Sequence, residues 1–438
     1  MCHFNLRRAL RNRLASFALF FLLLLRAAPA EAQTRVIVQV QGGFPAIQTL
    51  CVLLGCSVQY NLGDPQGQVF LVTAPVTLPL NLIADIPGVL DVEIDQLGQA
   101  MDTASQGSVP SALYDSAPVS YYGTIVHHGY LVQPATQIVG LASAQSAYQV
   151  SGAGIVAIID TGVDPTHPVL ANVLLPGYDF TRNQSGANEL LDLGQPQPGQ
   201  ADQSTAAVVD QSTAAVVDAS TAEYLNQPQY QDFGHGTMVA GVVHLVAPTA
   251  LILPLRAFGS DGTGYLSNVL RAIYYAVGQH ARVLNMSFNF TSSSVELNAA
   301  LTYASLNGVI SAAAAGNSGQ EILVYPAAYQ SLVMGVASTS DSDTLSTFSN
   351  YGPRLVWVGA PGEGVVTLYP FGTYAAAWGT SFSTPFVAGT AALLVNMNPV
   401  CGEAPAAQSI AHALYIDSAL GNGLLQLPEA LEAWQSGQ

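Results

Sequence analysis

Ser381 stands in Gly379-Thr380-Ser381-Phe382-Ser383-Thr384-Pro385, a turn of small residues that runs straight into the small and apolar stretch 386–394. That pattern puts the hydroxyl at a helix N-terminus, where unpaired N–H groups and the helix dipole favour negative charge and would stabilise an attacking alkoxide. Serine is a weak nucleophile at its own pKa, so a base and a group that orients the base must come from elsewhere. Two upstream stretches offer them. Asp160 closes the apolar run 154–159, which reads as a strand buried on both faces. In open α/β sheets the carboxyl ends of strands line the active crevice. His235 lies between glycines in Asp232-Phe233-Gly234-His235-Gly236, ahead of a small-residue helical run, so its imidazole can face a cleft. In chain order Asp160, His235 and Ser381 supply orienter, general base and nucleophile. A fourth stretch, 309–315, leads to Gly316-Asn317-Ser318-Gly319 and places an amide in a glycine-lined loop. Asn317 with the Ser381 backbone N–H makes a candidate oxyanion hole. Taken singly, each has an ordinary structural reading: a turn aspartate, a core histidine, a turn asparagine.

The elements that must position these groups begin at about residue 134. Before them, 35–40, 69–73 and 89–94 read as strands and 46–54 and 80–86 as helices, a β-α-β-α-β order that suggests a small α+β module over 33–97. Residues 98–133 are rich in Ser, Ala, Gly and Tyr without sustained periodicity; they read as a linker in which His127 and His128 are solvated, since no further metal ligands stand at suitable spacing. An insertion over 185–230 holds a tandem octad, 202–209 and 210–217, with a partial third copy from Asp218. Two copies are too few for a solenoid, so a surface loop is expected, with a β-hairpin at the cleft rim as the alternative.

Residues 1–32 read as an address. Arg7, Arg8, Arg11 and Arg13 precede an apolar run, 14–25, that is short for a bilayer span, and Ala30-Glu31-Ala32 offers a small-x-small cleavage site. Removing the five Arg and one Glu of this segment takes the formal charge from −17 to −21, with no Lys in the chain. Such a surface repels nucleic acid and anionic lipid. Of the cysteines that remain, Cys51 and Cys56 lie five apart, which is not the neighbourhood of a helix face, so their pairing stays open. Cys401 reads as a buried small apolar residue.

The four motifs, Ile159-Asp160-Thr161-Gly162-Val163, His235-Gly236-Thr237-Met238-Val239-Ala240-Gly241, Ala315-Gly316-Asn317 and the stretch from Gly379 to Pro385, resemble the subtilisin-like serine peptidases, the subtilases. The resemblance covers about 134–438 and, more weakly, the N-terminal module. It implies a three-layer α/β/α fold with a mostly parallel sheet, and a propeptide that assists folding and inhibits the enzyme until it is cut away. By matching position Ser381 attacks the scissile carbonyl, His235 moves the proton, Asp160 fixes the imidazole and Asn317 stabilises the oxyanion, the role scheme for which the family is known. Ser287, Phe288, Ala314 and Gly316 are the expected substrate-binding residues, and their uncharged character favours a neutral or apolar side chain before the cut. Three positions depart from the family pattern. Asn289 stands where a glycine is usual and would crowd the cleft. Val169 replaces an aspartate that helps to bind calcium, so calcium is not supported and no cofactor is required for catalysis. Phe386 replaces a common histidine.

The expectation is therefore a secreted or periplasmic serine endopeptidase, made as a precursor, that meets protein or peptide substrates and its own propeptide. Neither nucleic acid nor, after signal cleavage, a membrane is an expected partner, and the protein is expected to be a monomer. A zinc enzyme lacks support, because His235 and His244 are nine apart and no HExxH occurs. An α/β-hydrolase is excluded by Ser383 in place of the second glycine and by the order Asp, His, Ser. The alternative is a non-catalytic exported scaffold with a blocked cleft.

Overall fold

The computed structural model describes residues 33–76, 79–100, 107–193, 207–210 and 213–437. The leader expected over 1–32 lies outside them. Contacts divide the chain into two units, one of residues 33–61 and 66–94, the other of 62–65 and everything from Asp95 onward.

In the first unit β1 (Gln33–Val40), α1 (Gly43–Leu54), β2 (Ser57–Asn61), β3 (Val69–Pro75), α2 (Leu80–Ala84) and β4 (Val89–Ile94) follow one another. The sheet is antiparallel, in the order β2-β3-β1-β4. Strand alternation turns Val36, Val38 and Val40 to one face, where they pack with Ile47, Leu50 and Ile83 of the two helices. The β-α-β-α-β reading thus lacked one strand. Ser57-Val58-Gln59-Tyr60-Asn61 is polar and mostly exposed, so it shows no apolar run. Cys51 and Cys56 are joined as a disulfide. The spacing works because α1 ends between them and the chain turns back at Gly55.

The second unit opens with β5 (Leu97–Gln99), a hairpin of β6 (Pro118–Tyr121) and β7 (Thr124–His127), and helix α3 (Leu141–Tyr148). After β8 (Ile155–Asp160) come the short β9 (Tyr178–Asp179), β10 (Gln184–Ser185), β11 (Ala207–Asp210) and β12 (Thr213–Ala215). Then follow α4 (His235–Val246), β13 (Leu251–Arg256), β14 (Thr263–Tyr265), α5 (Leu266–Gly278), β15 (Val283–Met286), α6 (Val295–Leu306), β16 (Ile310–Ala314) and β17 (Met334–Thr339). The chain closes with β18 (Val358–Pro361), β19 (Val365–Tyr369), β20 (Thr373–Ala377), α7 (Thr380–Met397), α8 (Glu403–Ile410) and α9 (Leu427–Ser436).

Eight strands form the central sheet in the order β10-β9-β13-β8-β15-β16-β17-β18, parallel except for the β10 edge. Alternation sorts its side chains. Val156, Ile158, Ile252, Val283, Ile310, Ala312, Met334 and Val336 share one apolar core with α4 and α7. Their neighbours Ala157, Ile159, Leu284, Met286 and Ala313 are buried outside that core, as are the inward residues of α5 and α6. Helices thus cover both faces, the three-layer α/β/α arrangement that parallel strands require.

Two expectations change here. The segment read as a linker, 98–133, holds β5 and the β6–β7 hairpin, and His127 is not a solvated loop residue: its ring stacks on Tyr374 at 4.0 Å between centroids. The octad is not a surface loop either. Its described residues form the β11–β12 hairpin, which joins β20 and β19 as a four-stranded sheet. Residues from Thr213 to Val217 are buried.

Candidate active site

Asp160 is the last residue of β8, and parallel pairing sets it opposite Arg256 of β13. Helix α4 begins at His235, and its first turn must approach the turn after Asp160 closely. A Cβ on Gly236 would lie 1.9 Å from the Gly162 carbonyl oxygen, so only glycine permits that approach. The result is a buried pair, His235 Nδ1 to Asp160 Oδ1 at 2.6 Å. The same oxygen accepts the Thr161 amide at 2.7 Å. A carboxylate only accepts, so Nδ1 carries the proton and the basic lone pair is on Nε2.

A residue the sequence did not single out supports this pair. Glu189, in the 3-10 turn Glu189–Asp192, is buried and reaches both flanks of the site. It accepts the Gly234 amide at 3.0 Å, the Thr237 hydroxyl in the first turn of α4, and the Thr161 hydroxyl at 3.5 Å. Burial pushes its carboxyl well above the usual range; the charges of Asp164 and Asp160 act in the same direction, against the Thr237 hydrogen bond and Arg256. Nothing local marks it, because its partners are 28, 45 and 48 residues away.

Ser381 is the second residue of α7, behind Gly379. Pro385 lies in the same helix and has no N–H to give the Ser381 carbonyl. The Ser287 hydroxyl, itself a partner of the Asn285 amide at 2.9 Å, donates to that carbonyl instead, at 2.9 Å. Asn317 is held by its oxygen, which accepts both the Thr380 amide and the Thr380 hydroxyl at 2.9 Å. A backbone N–H can bond only the oxygen of that amide, which assigns Nδ2 to the other side of the group. A Cβ on Gly379 would lie 3.2 Å from Nδ2, which places that donor beside the start of α7. The Gly316 amide is taken by the Thr380 hydroxyl at 3.1 Å.

The two halves meet where the Phe382 ring lies 5.4 Å from the His235 ring. Ser381 Oγ donates toward the Ser287 carbonyl at 3.3 Å and toward the Ala100 carbonyl at 3.4 Å. Ala100 ends an extended segment of this same unit. Asp95 accepts the Ser267 amide and hydroxyl at 2.8 and 2.9 Å, at the N-terminus of α5. Strand β5 pairs antiparallel with β14, and Gln99 exchanges both backbone bonds with Asn289, at 3.1 and 2.9 Å. The asparagine expected to crowd the cleft therefore leaves this strand pairing intact. Phe288 and Ala314 are buried, and the Phe288 ring packs on Phe258 at 4.9 Å. Among the described residues no group of three or more His, Cys, Asp or Glu could hold a metal ion.

A mostly parallel sheet with these groups at strand ends and helix starts defines the class as an α/β serine endopeptidase of subtilisin type. A profile of the subtilase family (Peptidase_S8) matches residues 152–427, and the chain belongs to that family. It is similar to thermitase of Thermoactinomyces vulgaris, 37% identical over 256 residues, 56% of this chain and 76% of that protein. It is also similar to subtilisin BL of Lederbergia lenta, 39% identical over 183 residues, 40% and 67% of the two chains. Among solved structures, fervidolysin from Fervidobacterium pennivorans, a keratinolytic enzyme related to subtilisin, aligns with a TM-score of 0.69 at 21% identity. That alignment covers 93% of this chain and 62% of the other, and it bears on the fold alone.

Proposed function

We infer that the protein is an exported endopeptidase that hydrolyses peptide bonds through an acyl-enzyme on Ser381. Ser381 Oγ attacks the substrate carbonyl carbon as His235 Nε2 takes its proton, and Asp160 holds the imidazole in the required tautomer. The tetrahedral oxyanion accepts from Asn317 Nδ2 and the Ser381 amide. His235 then protonates the departing amine, and water repeats the sequence to release the acid. The observation that carries this reading is the buried 2.6 Å contact of His235 with Asp160, on the helix that packs beside the one bearing Ser381.

The module over 33–97 acts in this reading as an inhibitory propeptide, and the leader over 1–32 directs export. Consistent with an exported protein, no helix among the described residues is long and apolar enough to cross a membrane. Exposure of residues 33–438 to a serine-directed phosphonate tests the proposal. Labelling of wild type and none of Ser381→Ala is expected; equal labelling, or none of either, overturns it and leaves the scaffold reading.

A further inference from the structure

The strand that ends at Ser381 carries information about what the cleft accepts. Along it, burial alternates: Leu97 is 58% exposed, Gly98 buried, Gln99 half-buried and Ala100 buried. Side chains at positions 98 and 100 therefore face the cleft, and those at 97 and 99 face away. The inward position at Gly98 has no room. A Cβ there would lie 2.6 Å from Phe290 Cε1 and 2.9 Å from both Cδ1 and Cζ, against about 3.5–4.0 Å for an ordinary carbon contact.

The ring is not free to swing away. Phe290 is 2% exposed and packs edge-on against Phe288 at 5.9 Å. Its backbone is pinned to Tyr325 by two hydrogen bonds, of 2.7 and 2.9 Å. Phe288 and Phe290 are two apart in an extended stretch, so both rings lie on one side, and the second fills the space a substrate side chain would take. Every residue except glycine has a Cβ, and the exclusion is therefore general.

We propose that Phe290 closes the subsite facing Gly98, that the enzyme accepts glycine at this substrate position, and that its own strand 97–100 is the first substrate to satisfy the rule. The inference rests on the peptidase reading above. The self-cleaving step forms the Ser381 Oγ–C bond at the carbonyl of Ala100 or at the next one. The C–N bond of that peptide breaks, and the Ser381 proton passes through His235 to the new amine. Water then releases the carboxylate that ends the N-terminal fragment.

Two measurements test it together. N-terminal sequencing of the matured full chain fixes the self-cut, expected directly after Ala100 or one residue further on. Digestion of a peptide library by that matured enzyme is then expected to show glycine dominating at one position, the third residue before the cut in the first case and the fourth in the second. Gly98→Leu in the precursor is expected to slow self-cleavage by more than about tenfold, with Phe290→Ala restoring it, the scale at which pockets discriminate small side-chain differences. The library uses the unmodified enzyme, so a precursor variant that fails to fold does not rescue the idea. Free acceptance of Leu, Val or Phe at the assigned position, or a self-cut elsewhere, overturns it while leaving the peptidase reading standing. A chain that neither labels nor cuts overturns both.

Discussion

The two halves of the site are built from the same kind of element and supported in opposite ways. Helices α4 and α7 both start behind a glycine and both bring their chemistry to the first turn. Around His235, however, the supports are carboxyls: Asp160 on the imidazole, and Glu189 on the amide before it and the hydroxyl after it. Around Ser381 the supports are neutral: the Asn317 oxygen on Thr380, the Ser287 hydroxyl on the Ser381 carbonyl, and the Thr380 hydroxyl on Gly316. The division follows from where charge must appear. In the proposed mechanism a positive imidazolium forms at the first half, where the Asp160 carboxylate stabilises it. In the same proposal a negative oxyanion forms at the second, where a carboxylate would repel it and oriented dipoles attract it without reorganising.

The sharpest way to break the contrast is to neutralise the charged half. Asp160→Asn keeps the size of the side chain but offers an N–H to Nδ1, which moves the imidazole proton to Nε2 and abolishes the base. A fall in kcat of about 10⁴-fold is expected, the scale established for this exchange in a related constellation. Burst kinetics with an ester substrate would read it, and a loss below tenfold would mean that His235 does not depend on Asp160 for its tautomer. Asn317→Ala attacks the neutral half. Its expected cost, about 10² to 10³ in kcat, is the value known for the matching donor in subtilisin rather than one obtained from this site. The shape of the pH–rate profile should survive this change, because no titrating group is touched. A shifted profile would show that Asn317 acts through His235.

Legibility from sequence divides by distance along the chain, not between the two halves of the site. The parallel sheet announced itself as glycine-bounded apolar runs, since strands buried on both faces leave no polar alternation. Asp160, His235, Asn317 and Ser381 could be read as candidates because close backbone approach demands glycine and small residues beside each of them, and those are local marks. What stayed hidden depends on distant chain. Strand β2 is polar, and the Ala-Ala-Val-Val of the octads fits a loop or a strand equally until β11 pairs with β12 and β12 with β20. The fit of Phe290 against Gly98 joins positions whose proximity only the folded cleft supplies. The same holds for Glu189, whose spacing to its partners follows no helix or strand period.

Glu189 also provides the smallest and most selective test of the comparison. Its folded-state pKa lies well above the ordinary glutamate value of 4.5, chiefly through burial, with Asp164 and Asp160 adding and Thr237 and Arg256 opposing. Between those two values the native chain holds a proton that the unfolded chain has lost. The stability this contributes is complete below the unfolded pKa and declines as pH rises through the folded one. Glu189→Gln removes the titration, so its unfolding midpoint in urea should fall less steeply than that of the parent as pH rises from about 5 upward. The measurement belongs on the Ser381→Ala background, where no self-digestion interferes. In the active enzyme the same exchange leaves one buried partner of the carboxyl badly met, because the amide's NH₂ cannot accept from Gly234 or Thr237 if it faces them. A loss of about tenfold in kcat follows from one unsatisfied buried group. Parallel stability profiles would mean that Glu189 is ionised in the fold throughout, and the charged half of the site would then hold two carboxylates beside one imidazole rather than one.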